Sequence, residues 1–143
     1  MNFPLFLGYK HNFMAYNEKL ADRLREMLAE LPDVEEKKMF RGVTFMVNGK
    51  MCVSVSGENL MCRIGADMHD VAVEQNGCSE VVMRGRVMKD FMYVSGDAVK
   101  SKKELAYWVK LALAFNSKAK DRRRQRKNKQ TVYPTIWILF ILL

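Results

Sequence analysis

The chain is poor in the residues on which many enzymes and secreted scaffolds rely: its 143 residues include three cysteines, two histidines and three prolines. Cys52, Cys62 and Cys78 are odd in number and form no Cys-x-x-Cys pair. That argues against a disulfide framework and fits a reducing, cytoplasmic setting in which small thiols pack as hydrophobes. With only His11 and His69 to join them, four zinc ligands at a recognisable spacing are lacking, so no metal residue is assigned. Neither a P-loop nor a Gly-x-Gly-x-x-Gly run lies between a strand and a helix. The usual phosphate and dinucleotide cradles are therefore missing, and no cofactor is assigned.

Long apolar runs are missing too. Met1 to Phe13 contains Phe3-Pro4-Leu5-Phe6-Leu7 but no basic leader region and no small-residue cleavage site, so it does not read as a signal peptide. At the other end Ile136 to Leu143 is wholly apolar. As a helix it would cover about 12 Å against a hydrocarbon core of roughly 30 Å, so it does not span a bilayer.

What is present is an ordinary apolar fraction, 49%, with 28% charged residues and a net charge of +8. One globular domain of ordinary composition accounts for this. The charge is unevenly placed. Residues 1–116 hold 16 Lys and Arg against 15 Asp and Glu, a balance of +1, whereas residues 117–130 hold eight basic residues against Asp121, a balance of +7. Within that run Arg122, Arg123, Arg124, Arg126, Lys127 and Lys129 are the candidate nucleic-acid-binding residues. Without interleaved aromatics they can neutralise phosphates but cannot read sequence.

Asn17 to Leu31 predicts an amphipathic helix, with Asn17 as N-cap, Leu20, Leu24, Met27, Leu28 and Leu31 at steps of three and four, and Pro32 ending it. The period then changes to two. Strands are predicted at Val34 to Phe40, Val43 to Val47, Lys50 to Ser56 and Asn59 to Ile64, with Asn48-Gly49 a strong hairpin signal. Asp67 is placed to cap a short helix running to Glu74 or Gln75, with Met68, Val71 and Ala72 inward, closed by Gly77. Val81 to Met83 and Val87 to Ser95 flank Gly85 as a further hairpin or edge strand. Ser101-Lys102-Lys103-Glu104 is a capping box that opens a last helix with Leu105, Trp108, Val109, Ala112 and Phe115 as its apolar stripe. This order predicts an α+β, two-layer domain: an antiparallel β-meander of about five strands packed against N- and C-terminal helices and one short middle helix.

Catalytic constellations are sparse. His69 sits beside Asp70, but adjacent helical residues do not face one another, and His69 reads as an exposed helix residue. Glu35 and Glu36 point to opposite faces of a strand, and Asp67 and Asp70 read as helix-dipole complements. No catalytic residue is assigned. The 11 methionines, spread through the strands, read as core and sheet-face packing in preference to a methionine-lined groove.

The tract Lys37-Lys38-Met39-Phe40-Arg41-Gly42-Val43-Thr44-Phe45-Met46-Val47-Asn48-Gly49-Lys50-Met51 resembles the signature stretch of the TfoX/Sxy N-terminal domain family. So do the helix Tyr16 to Arg25, the strand Leu60 to Gly65 and the tract Gly85 to Val94. Lys38, Met39, Phe40, Gly42, Asn48, Gly49, Gly85 and Arg86 are taken as family-signature residues with structural roles. Family members commonly carry two glycines after the Met-Phe. Here Arg41 precedes Gly42, which suggests that Gly42 alone serves a required backbone conformation.

The resemblance implies a compact α+β cytoplasmic domain that, in longer bacterial regulators of natural competence, is joined to a helical second domain and activates transcription. It supplies no established catalytic residues. The expectations that follow are residues 1–13 as an N-terminal extension with Met14 an equally good start, 14–116 as the domain, and 117–143 as a basic then apolar tail. The function expected is a non-enzymatic regulatory module acting by contact with a protein partner. The alternatives are non-specific DNA or RNA binding through residues 118–129 and peripheral membrane association through Trp137 to Leu143 together with the basic run.

Overall fold

The computed structural model describes residues 16–121. The elements run α1 (Glu18–Leu28), β1 (Val34–Met39), β2 (Gly42–Val47), β3 (Lys50–Ser56), β4 (Asn59–Arg63), α2 (His69–Val73), β5 (Cys78–Met83), β6 (Arg86–Ser95) and α3 (Lys102–Asn116). All neighbouring strands are antiparallel, in the order β1-β2-β3-β4-β6-β5. The fold is α+β, as the sequence predicts, with a sheet of six strands where about five are expected. The first four form the meander, and the β5–β6 hairpin folds back so that β6 inserts beside β4 and β5 becomes an edge.

The tight turns follow from local chemistry. Asn48 and Gly49 both take positive φ, 53° and 76°, as a type I′ hairpin turn requires. Arg84 and Gly85 do the same at 51° and 74°. Between β1 and β2 the two turn residues are Phe40 and Arg41, at φ 55° and 58°, neither of them glycine. Gly42 serves a different need. It has no positive φ, and a Cβ there would land inside the Val55 carbonyl oxygen across the sheet. The left-handed conformation thus falls on Arg41, while Gly42 permits close approach of β3.

Helix α1 is capped as predicted, Asn17 Oδ1 accepting from the Leu20 amide at 3.0 Å, but it stops at Leu28 rather than Leu31. Ala29 and Glu30 form a turn, so chain reversal begins before Pro32 is reached. The capping box of α3 forms: Glu104 N donates to Ser101 Oγ and Ser101 N donates to Glu104 Oε1, both at 3.1 Å. Hydrogen bonding of its carboxylate to the Ser101 side chain and backbone amide holds Glu104 below the usual carboxylate range. Asp67, by contrast, lies in a 3₁₀ turn, Ala66–Met68, which has no side-chain cap. Val71 of α2 faces solvent at 61% exposure, because a helix of five residues covers its sheet through a narrow stripe centred on His69 and Ala72.

The core lies between the sheet and its three helices. Leu20, Leu24 and Leu28 of α1 and Leu105, Trp108 and Val109 of α3 pack with Phe45, Val53, Val55, Leu60 and Val94 of the strands. A buried aliphatic side chain here, such as Leu24, contributes about 2–5 kcal/mol against truncation to Ala. Edge strand β1 bears Glu35, Glu36, Lys37 and Lys38, charges that discourage edge-to-edge pairing. One of them also ties the layers: Arg25 of α1 donates to Glu36 Oε1 at 2.7 Å, which raises the Arg25 pKa, and its guanidinium stands over the Phe45 ring.

Candidate functional site: a methionine groove on the second sheet face

Pairing register puts Lys37, Thr44, Ser54, Met61, Tyr93 and Ser79 in one row across all six strands. The next row contains Phe45, Val53, Cys62 and Met92, which belong to the helix-covered core. Alternation therefore sends the Met61 row to the opposite face. Among the described residues no helix packs there. This face has its own apolar cluster, Met61, Val81 and Phe91, against which Phe40, Met51, Met83, Met88 and Tyr93 pack.

Beside that cluster lies a groove of about 560 Å³. Met39, Met46, Met51, Met83 and Met88 line it, with Phe40 and Phe91, so five of the 11 methionines gather at one place. The expected sheet-face packing holds for Met51, Met83 and Met88, which pack against Met61, Val81 and Phe91, and the groove is what the strand order adds to it. Met61 and Met92 are fully buried, and the five line the cleft. Periodicity within each strand places a methionine on a face; only the strand order brings β1, β2, β3, β5 and β6 to one cleft. The rim is charged: Lys37, Lys50, Arg63, Lys89 and Lys120 against Asp90 and Asp121.

Arg63 anchors one end of the groove. Its guanidinium stands 5.6 Å from the Phe91 ring centroid and 5.9 Å from that of Phe115, and Nη2 donates to the Lys120 carbonyl at 3.4 Å. The segment after α3 is thereby led to the groove, with Lys120 and Asp121 forming part of its wall. Lys50, at another point on the rim, donates to the Asn116 carbonyl at 2.8 Å.

The signature residues divide. Met39 and Phe40 line the groove, and Lys38 and Arg86 are exposed strand residues. Asn48, Gly49 and Gly85 form turns, and Gly42 is the close-approach position. The nucleic-acid candidates Arg122, Arg123, Arg124, Arg126, Lys127 and Lys129 lie outside the described residues, as do residues 1–13 and the apolar run Ile136 to Leu143. Among the described residues no helix is long and apolar enough to cross a membrane.

The helix-covered face holds the other chemistry-bearing groups. His69 is buried, 4% exposed, where the sequence predicts exposure. Its Nε2 lies 2.9 Å from Glu80 Oε1 of β5, and its Nδ1 has no hydrogen-bond partner among the described residues. The sequence hides this pairing because β5 starts at Cys78, three residues before its apolar part, and so brings Glu80 under α2. All three thiols are shifted against reactivity. Burial pushes Cys52 up to about 12, raises Cys62 well above its ordinary value and raises Cys78 as well. An activated nucleophile needs the opposite shift.

The sequence model of the TfoX N-terminal domain matches residues 26–116. The chain belongs to the TfoX N-terminal domain family. No curated protein matches, and no solved structure matches. The match takes in the whole sheet and α3 and begins within α1, so the groove of this TfoX N-terminal domain is built almost wholly from matched residues, Lys120 and Asp121 excepted.

Proposed function

We propose that this TfoX N-terminal domain is a non-enzymatic, cytoplasmic regulatory module that acts by protein contact, with the methionine groove as its contact surface. The observation that carries this reading is the gathering of five methionines from five strands around one cleft. Met is unbranched and polarizable, and such side chains suit surfaces that accept apolar groups of varied shape. The family membership supports a role like that of the competence regulators, in transcriptional control in a bacterial cell.

The test is photocrosslinking in native cells from Val87, which lines the groove and is 41% exposed. A photoreactive side chain there is expected to capture a transcription-associated protein in the full chain, and one at exposed Lys110 on α3 is not. Equal capture from both positions, or none from Val87, counts against the groove.

A second reading, non-specific nucleic-acid binding through residues 118–129, is favoured by the balance of +7 over residues 117–130. Replacing Arg122, Arg123, Arg124, Arg126, Lys127 and Lys129 by Gln is expected to abolish low-salt DNA or RNA affinity. Unchanged affinity sinks that reading.

A further inference from the structure

The groove carries more charge than the domain around it. Residues 16–121 hold 17 Lys and Arg against 16 Asp and Glu, a balance of +1, whereas the groove lining holds five against two, a balance of +3. The remaining surface is thus slightly acidic, and the positive potential gathers where the methionines do. Focused charge of this kind selects the sign of what approaches.

We infer that the groove takes an acidic amphipathic segment of a partner protein, its apolar anchors on the methionines and its carboxylates on the lysine rim. This inference rests on the protein-contact reading above and narrows it to one class of partner. The cleft, at about 560 Å³, is within the roughly 300–1,000 Å³ of clefts that enclose ligand groups. Its lining includes five methionines, Phe40 and Val87, apolar residues that suit a helix presenting residues at i, i+3, i+4 and i+7. The polar groups are on the rim. Lys37, Lys89 and Lys120 are long, flexible cations that can follow carboxylates on different segments, unlike the few fixed polar groups of a small-molecule site.

Two other occupants fit less well. Single-stranded nucleic acid binds sheet faces by stacking bases on exposed aromatic rings. Here Phe91 is 8% exposed and its face is taken by the Arg63 guanidinium. A second copy of this chain in an isologous dimer would set the same positive rim against itself.

The test uses two fluorescein-labelled peptides of about four helical turns with identical Leu, Met and Phe anchors, one bearing Glu and the other Lys at the remaining positions. Fluorescence anisotropy with the full chain is expected to show the Glu peptide binding at least about ten-fold tighter than the Lys peptide, the difference shrinking in high salt. The double variant K37E/K89E, changed at rim positions outside the core, is expected to weaken the Glu peptide by about ten-fold or more with an unaltered thermal melt. M51Q/M83Q is expected to weaken both peptides alike.

Equal binding of the two peptides, or indifference to K37E/K89E, overturns the inference. So does an oligo-dT probe that displaces the Glu peptide and loses affinity in K37E/K89E, since the groove then takes nucleic acid. A dimer in sedimentation that M51Q/M83Q dissociates assigns the groove to a second copy. Binding that appears only when the full chain also carries I138D and F140D assigns it to the chain's own C-terminal run. If Val87 crosslinks a protein while the Glu peptide fails to bind, the protein-contact reading stands and the acidic partner falls; if neither occurs, both fall.

Discussion

The side chains of Asn116 and Asn48 join the end of α3 to the β2–β3 turn: Asn48 Nδ2 donates to Asn116 Oδ1 at 3.1 Å, and Asn116 Nδ2 donates to the Val47 carbonyl at 3.0 Å. Asn116 is 4% exposed and its bond to the Val47 carbonyl is buried, while Asn48 stands at the surface. The arrangement also places the Asn116 carbonyl where Lys50 of the groove rim reaches it. Asn116→Ala leaves a carbonyl and an amide without their partners. The expected loss is about 1–3 kcal/mol, chiefly from the buried Val47 carbonyl, read as a lower denaturant midpoint with unchanged slope. Asn116→Asp turns a carboxylate oxygen towards the Val47 carbonyl in a buried site and is expected to cost at least as much as Ala at neutral pH.

The β1–β2 turn offers a gain. Arg41 holds φ 58°, and a non-glycine residue in the left-handed region costs about 1 kcal/mol or more. Arg41→Gly removes that cost but gives the unfolded chain more freedom. The net gain expected is under about 1 kcal/mol, visible as a small rise in melting temperature. A fall in melting temperature would show that the Arg41 side chain contributes more than its backbone costs.

Glycines of similar appearance in the sequence are expected to respond differently. At Gly49 no atom lies within 4 Å of an added Cβ, and only its φ of 76° resists substitution, so Gly49→Ala costs about 1–2 kcal/mol. At Gly42 the added Cβ meets the Val55 carbonyl within the sheet, which cannot move without breaking the β2–β3 ladder. Gly42→Ala is expected to cost on the order of 3 kcal/mol or more. Comparable midpoints for the two variants in a denaturant series would contradict this.

The fold was legible to the extent that its signals are local. Asn17, Asn48-Gly49 and the Ser101–Glu104 box each act within four residues, and each forms as the sequence predicts. What escaped depends on contacts between distant segments. His69 looks like a surface residue until β5 supplies Glu80, and Gly42 looks like a turn glycine until Val55 is placed opposite it. The groove escaped for the same reason: its methionines lie on five strands whose adjacency, with β6 between β4 and β5, no period in the sequence specifies.

Thiol chemistry gives an independent check on the core. Burial raises all three cysteines, with Cys52 and Cys62 enclosed and Cys78 partly accessible. In native protein at pH 8 a disulfide-exchange reagent is expected to react slowly with Cys78 and negligibly with Cys52 and Cys62, all three becoming reactive in denaturant. The sign of the pH dependence follows. A thiol whose folded pKa is raised stabilises the fold fully below its unfolded pKa, and that contribution is lost as pH climbs from there towards about 12 for Cys52. Stability is therefore expected to fall on the alkaline side, and less so in Cys52→Ala than in wild type.

The acid side is set in part by the α3 cap. Bonds from the Ser101 side chain and backbone hold Glu104 below the usual carboxylate range. A carboxylate with a lowered folded pKa contributes above its unfolded pKa, and the contribution is lost as pH falls through the folded value. Ser101→Ala is expected to cost about 1 kcal/mol at neutral pH. In Glu104→Gln the neutral amide can still accept from the Ser101 amide, so the variant is expected to lose little at pH 7 and to show a flatter stability profile below pH about 4. If its profile runs parallel to wild type through that range, the charge on Glu104 contributes nothing to the cap and the hydrogen bonds alone hold the first turn of α3.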